Sequence, residues 1–455
     1  MNKTLTHSEA ALVRQNSSSL SAFRILWFGQ LISILGSATA DFAVGIWVYQ
    51  QTGSVFRFAM IALTSVLPRL LISPLAGVVV DRWNRRTVML VSDFVHALCS
   101  LTIWLLLLSG QLEIGLLYIV MAVAALASAF QEPAYQAAIP QLVHKEQLGQ
   151  ANGMVDLARG AGQLLAPLLG GFLLAWIGLG GIIMLDLSTF LVAVVTLTLV
   201  RVPDLVASPT HDDPAYQVSP TKEADSGWRQ EFAQGWHFLL SQPALLMLMF
   251  YIAATVFLLS LLEVLVTPLV LSFSNERALG MILTSGGVGL LVGGALMSWW
   301  GGPKQRIYGM LLFDLLAALI MIGAGLRASE VWLAVVAFSF FVTVPISRGS
   351  LQAIWQSSVP QTLQGRVFTL RDMLAISASP LAFLLAGPLA DQVFEPWMAN
   401  NGWLAGTVGS WIGVGKGRGI ALLFIVMGLL FLTMNVLAWG SRKIRNIEQV
   451  QISGE

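Results

Sequence analysis

Five ionisable side chains lie inside runs that are otherwise apolar for about twenty residues. They are Asp41, Arg69, Glu132, Glu263 and Arg348. A charge near the centre of a bilayer costs at least a few kcal/mol on insertion scales, so such residues face a water-filled path or a partner. A carboxylate held there binds a proton or a cationic group, and an arginine there neutralises an acid. The structural alternative is a locked pair, such as Glu132–Arg348, or Arg69 with Asp41 or Glu132. A second constellation runs from Gly77 to Arg86, where Asp81, Arg82, Arg85 and Arg86 crowd a tight turn between two apolar runs. So short a turn holds no catalytic domain. It can fix the angle of two membrane helices and set a carboxylate among guanidiniums at the membrane surface. Gly77 at the end of the preceding run permits close approach to a neighbouring helix.

The elements that position these residues are long apolar segments near 24–49, 55–79, 87–109, 114–140, 151–178, 180–200, 243–271, 279–300, 306–326, 331–357, 367–393 and 419–440, twelve in all. Between 202 and 240 four prolines sit among charged residues, so the pattern predicts a polar linker ending in a surface helix over 228–240. The predicted layout is an N-terminal tail (1–22), a six-helix bundle (23–201), the linker (202–240), a second six-helix bundle (241–440) and a C-terminal tail (441–455). An even number of spans puts both ends on one side. The excess of Lys and Arg in the short loops of that side, Arg82, Arg85, Arg86, Lys145, Lys304, Arg306 and Arg366 among them, places both termini in the cytoplasm. The Trp-rich stretch 394–418 then lies outside, as an interfacial segment.

Composition agrees. Of 455 residues, 56% are apolar and 11% are charged, against about 25% charged in a soluble domain. Mean hydropathy is +0.76. A net charge of +1 excludes a strongly basic nucleic-acid binder. The single cysteine, Cys99, sits in an apolar run and reads as a core residue. No G-x-x-x-x-G-K-[ST] stretch, H-E-x-x-H or Cys/His cluster is present, so neither ATP nor a metal cofactor is expected. Gly287-Val288-Gly289 lies in an apolar helix without a preceding strand and reads as packing glycine.

The halves repeat. Asp93 matches Asp314, Arg86 matches Arg306, Pro140-Gln141 matches Pro360-Gln361, and Asp41 matches Glu263, all at an offset of about 220 residues. Four matches in order at one offset argue for a duplicated six-helix unit. Asp93, Asp186 and Asp314 fall nearer segment ends, where capping or snorkelling is cheap, and read as structural. His96, one turn from Asp93, reads as a satisfied interior histidine, with a proton relay as the alternative.

The G-x-x-x-D-R-x-x-R-R pattern at 77–86 resembles the signature loop of the major facilitator superfamily of transporters. Along the fifth segment, Gly153, Gly162, Ala166-Pro167 and Gly170-Gly171 resemble the antiporter motif of its exporters, with Ala166 where a glycine is usual. Residues 133–143 with Asn152-Gly153, and residues 417–423, resemble the branch that holds the enterobactin exporter and the macrolide efflux proteins. Three departures stand out: Asn84 replaces a glycine in the loop, where it tolerates a left-handed turn; the fourth segment carries Glu132 in place of an arginine; and the second-half loop, 301–306, has lost its acid.

The resemblance implies an all-α integral membrane fold of twelve transmembrane helices in two pseudo-symmetric six-helix bundles. It implies that Asp41, Glu132, Glu263 and Arg348 face one another across a substrate path, because the first, fourth, seventh and tenth segments line the cavity of that fold. It also implies that Asp81 pairs with Arg366 or Arg371 at the start of the eleventh segment when the inner gate is shut. The expectation is a monomeric secondary transporter, not an enzyme, in a bacterial inner membrane. It exports amphiphilic small molecules (drug-, macrolide- or siderophore-like) by alternating access. No cofactor is expected beyond a proton gradient, and no nucleic-acid partner. Asp41 and Glu263 are the favoured titrating groups, and three acids against one or two arginines lean toward cationic or zwitterionic cargo. The alternatives are an importer or lipid transporter of the same fold, and a transport-inactive sensor or scaffold.

Overall fold

The computed structural model describes residues 7–144, 147–200 and 228–447. The expectations for Lys145, for the linker before Trp228 and for the ends of both tails lie outside the described residues. In lipid a backbone must satisfy its own hydrogen bonds, which leaves helices for apolar runs of this length. The long elements are α1 (His7–Thr52), α2 (Val55–Arg82), α3 (Arg85–Leu108), α4 (Ile114–Leu142) and α5 (Leu148–Leu199) in the first half. A helix α6 (Trp228–Ser241) closes the linker. There follow α7 (Pro243–Leu271), α8 (Glu276–Trp300), α9 (Arg306–Leu326), α10 (Glu330–Ser358) and α11 (Gln361–Gly387). A π-helical stretch, Pro388–Phe394, leads into the short α12 (Glu395–Trp397) and α13 (Gly409–Ile412), then α14 (Arg418–Gly440) and α15 (Arg442–Arg445).

Among the described residues, 11 helices are long and apolar enough to cross a membrane. One of them, α5, supplies two crossings. Its continuity breaks at Gly178, whose φ of 64° and ψ of −179° no helix contains. Gly178 is where the sequence pattern ends the fifth segment and starts the sixth, so the fold has the twelve spans expected. Helix α1 reaches back to His7, so much of the stretch read as a polar tail is helical.

The chain divides into two compact units, 1–51 with 60–212, and 52–59 with 213–455. In the first, α1 and α5 approach closely through small residues. A Cβ at Gly162 would lie 2.9 Å from Ile34, and one at Gly170 would lie 2.6 Å from Phe42. Ala166, midway between them, is buried. Positions four apart share one helix face, so Gly162, Ala166 and Gly170 form one row against α1. In the second unit α8 packs on α10 in the same way: a Cβ at Gly289 or Gly293 would sit 2.3 Å from the carbonyl of Phe338 or Val342. That is the packing role read for the Gly287–Gly289 stretch.

Two expectations about the 77–86 turn are corrected. Asn84 is not left-handed. It has φ −61° and ψ 119° and caps α3, its Oδ1 accepting from the Thr87 N–H at 3.2 Å. A side chain that caps suffices where a glycine was expected to twist. Gly77 makes no close approach, since a Cβ there would meet nothing within 4 Å. Its face of α2 is open, and no packing in this conformation demands a glycine.

Candidate functional site

In the first unit, three helices bring charges together at mid-span. Arg69 of α2 donates to Glu132 Oε2, and Arg159 of α5 reaches Glu132 Oε1 at 2.7 Å. Arg159 also lies 3.9 Å from Asp156, three residues back on the same helix. Arg69 is thus the partner of Glu132, not of Asp41. The three side chains are a third to a half exposed (49%, 33% and 39%), so the cluster borders open space and is not sealed in the core.

Asp41 of α1 is exposed at mid-span and has no hydrogen-bond or ion-pair partner among the described residues. One turn earlier on α1, Ser37 donates to Asp186 at 3.1 Å, and Ser100 donates to the other oxygen of Asp186 at 2.5 Å. An open acid therefore stands one helical turn from a buried one. In the second unit, Glu263 of α7 and Arg348 of α10 are likewise exposed and unpartnered among the described residues. Glu132, considered from sequence as a partner for Arg348, is bound by two arginines of its own unit.

The acids read as cheap end-caps are the buried ones. Asp93, Asp186 and Asp314 are 0%, 3% and 6% exposed. None snorkels; each is held by neutral donors. Gln131 of α4 donates to Asp93 and reaches Gln30 of α1 at 3.4 Å. Asp314 accepts from Tyr251 of α7 at 2.7 Å and from Ser347 of α10 at 2.6 Å. Asn435 of α14 donates to the Tyr251 hydroxyl at 3.3 Å. The two sites use corresponding helices, α1–α3–α4 and α7–α9–α10, so the duplicated aspartates sit in duplicated settings. His96 bonds Ser128 at 3.0 Å and stacks on Phe190, which satisfies it without Asp93.

At the proposed gate, the side chains of Asp81 and Arg82 lie outside the described residues. Arg86 donates to the Thr198 carbonyl at 2.9 Å, covering the end of α5. The buried Nε of Arg85 has no hydrogen-bond partner among the described residues. Arg366 donates to Gln234 of α6 at 2.5 Å. Arg371 bonds Asp372 and Gln352 at 2.9 and 3.0 Å, and its guanidinium lies over Phe368 and Trp355. Gly153 stands apart from the small-residue row, with nothing within 4 Å of a Cβ, while Gly171 is buried.

The sequence model of the Major Facilitator Superfamily matches residues 26–383. The chain belongs to this superfamily. Among its relatives, "Macrolide efflux protein A" of Streptococcus pyogenes is 25% identical over 392 residues, 84% of this chain and 93% of that protein. "Multidrug efflux pump Tap" of Mycolicibacterium fortuitum is 26% identical over 386 residues, covering 81% and 88%. Among solved folds, a bacterial homologue of the human lysosomal transporter Spinster, inward-facing and unoccupied, superposes with a TM-score of 0.68 at 16% identity over 94% of this chain and 98% of that one. A bacterial homologue of the iron transporter ferroportin, also inward-facing, gives 0.65 at 17% identity over 93% and 99%. At those identities the likeness is one of fold: a multi-pass membrane transporter architecture.

Within this superfamily fold, Arg159 is the site residue that the sequence reading passed over. The signal was present, an arginine in the apolar run that begins at 151. Helix α5 begins at Leu148, which sets Arg159 about 16 Å along the helix.

The cluster predicts an ordered set of stabilities. Arg159→Gln leaves Arg69–Glu132 intact and is expected to cost about 1 kcal/mol, the upper end for partly exposed pairs. Glu132→Ala leaves two guanidiniums facing each other and is expected to cost about twice that. Thermal unfolding in detergent of both single variants and the double variant checks this. Strictly additive losses would show that the three side chains do not act as one cluster.

Proposed function

We propose that this protein is an exporter of amphiphilic small molecules, driven by proton entry and working by alternating access in a bacterial inner membrane with both termini cytoplasmic. The observation that carries the reading is the exposure of Asp41, Glu263 and Arg348 in the middle of membrane spans. A charge in that position faces water, because facing lipid would cost several kcal/mol, and a water-filled path at mid-span is what a transporter needs. The direction, export, is supported by the relatives named as efflux proteins and by the Gly162–Ala166–Gly170 row on α5. Asp41 and Glu263, the unpartnered acids of the set, are the proton carriers in this reading. Asp81 acts as a latch toward Arg366 and Arg371. A monomer suffices, with no cofactor.

Arg159 changes the reading of the cargo. The first unit holds Asp41 and Glu132 with Arg69 and Arg159, and the second holds Glu263 with Arg348. Each set is balanced, so the lean toward cations disappears, and the cargo class is an amphiphile of either charge type. The test is purified protein in liposomes with an imposed proton gradient, offered cationic dyes, macrolides and catecholate siderophores. Accumulation of at least one class that follows the gradient and reverses with its sign is expected. Indifference to a gradient of either sign would overturn proton coupling and favour the sensor or scaffold reading.

A further inference from the structure

At the end of the second unit where α7 and α9 finish and α14 begins, a cavity of about 230 Å³ opens at the surface. Three cations line it: Arg327, just past α9, and Lys416 and Arg418, at the start of α14. They come from two segments nearly ninety residues apart, so their convergence is a product of the fold. None of the three has an ion pair or side-chain hydrogen bond among the described residues, and none donates to the carbonyls that end α7 and α9. No acid is among the lining residues, and two acids of the flanking segments are already engaged. Glu395 accepts from the Gly417 and Ile420 N–H groups at 3.2 and 3.1 Å, and Glu330 accepts from Ser274.

The rest of the lining decides what these cations receive. Phe273 and the exposed Val414 form its accessible apolar wall, while Ser272 adds a hydroxyl. The cavity lies where the apolar spans stop, which is the depth of lipid headgroups. In the segment just before α14, Trp403 and Trp411 are 78% and 89% exposed, although Met398 and Ile412 beside them are buried. Exposed tryptophans at a span end are membrane-interface anchors. Unmatched cations over an apolar wall, flanked by such anchors, suit a group with an anionic head and an acyl tail.

We infer that the Arg327–Lys416–Arg418 cavity binds the headgroup phosphate of an anionic phospholipid, with its acyl chain along the Phe273–Val414 wall. On the orientation proposed above this is the outer leaflet; the binding itself stands apart from cargo, coupling and direction. Solvated cations of ordinary loops would be spread over the surface, whereas these three share one cavity.

The test is native mass spectrometry of the full chain in neutral detergent, titrated with phosphatidylglycerol or phosphatidylcholine. Preferential retention of phosphatidylglycerol is expected. Lys416→Gln is expected to weaken it about fivefold, and each further charge removed in Arg327→Gln/Lys416→Gln/Arg418→Gln about fivefold more, with phosphatidylcholine unchanged. Lys416 is exposed on a loop, so its single variant tests the site even if the triple variant folds poorly. Equal retention of phosphatidylglycerol by the wild type and the Lys416 variant would overturn the proposal. So would inorganic phosphate raising the melting temperature as much as phosphatidylglycerol, which would assign the cations to a soluble anion.

Discussion

Asp41→Asn is expected to lose about tenfold or more of proton-driven cargo accumulation, the scale of a coupling free energy between two bound species. Exchange of labelled cargo without a gradient should persist, because the substitution keeps the shape of the side chain and removes only the titrating group. The argument rests on which acids are free. Glu132 has two guanidiniums on its two oxygens, so its charge is already answered. Asp41 has no such partner among the described residues, and it is exposed. The Ser37–Asp186–Ser100 chain lies one turn earlier on α1. A proton arriving at Asp41 therefore meets an open carboxylate backed by a hydrogen-bonded acid. Glu132→Gln separates the two roles: it should lower the melting temperature while leaving the response to gradient sign intact. Accumulation by Asp41→Asn equal to wild type would end the proton role of Asp41. Loss of exchange along with accumulation would instead make Asp41 a cargo contact.

The contrast between Asp41 and Asp93 shows where sequence reading stops. Counting residues from a segment end gives depth, and depth marked Asp41, Glu132, Glu263 and Arg348 as mid-span. It says nothing of azimuth, the direction a side chain leaves the helix, when the flanking residues are apolar all round. Asp93 and Asp314 are each the ninth residue of their helices, about 12 Å along the axis. From sequence that looked near enough to water. Both instead point into their own unit, where Gln131, Tyr251 and Ser347 replace water. Hydrogen-bonding residues on neighbouring helices were the missing information, and no local pattern announces them. Features set by local chemistry were legible. Gly178 ends one span and starts another because only glycine takes that backbone angle readily, and the small residues of the motif on α5 include the row that packs on α1. The loop at 77–86 was legible as a turn, but not in mechanism: Asn84 works through a side-chain cap.

Gly387→Leu is expected to be the most damaging single substitution at the end of α11, with Asp391→Ala next to it. Helix α2 starts with its first N–H groups unsatisfied, as every helix does, and no side chain of α2 itself answers those of Val55 and Phe56. Asp391, from the π-helical stretch after α11, does so. It accepts from the Val55 and Phe56 N–H groups at 3.1 and 2.9 Å and from the Ser54 hydroxyl at 2.8 Å. Gly387, one turn earlier, lets the two backbones meet: a Cβ there would lie 2.3 Å from Phe56 Cα. Backbone cannot swing aside as a side chain can, so a leucine must part the two segments, at a cost of about 1–3 kcal/mol or more. Removing the carboxylate removes a cap worth about 1–2 kcal/mol. This contact explains why residues 52–59 group with the second compact unit while the rest of α2 groups with the first. The chain passes from one unit to the other within one helix, and Asp391 holds the first turn. Hydrogen–deuterium exchange at residues 55–58 reads the effect directly. Asp391→Ala should speed exchange there by about tenfold, matching the lost cap, with Asp391→Asn intermediate, since an amide oxygen still accepts. Exchange at 55–58 unchanged in both Gly387→Leu and Asp391→Ala would mean that the first turn of α2 is held by something other than α11.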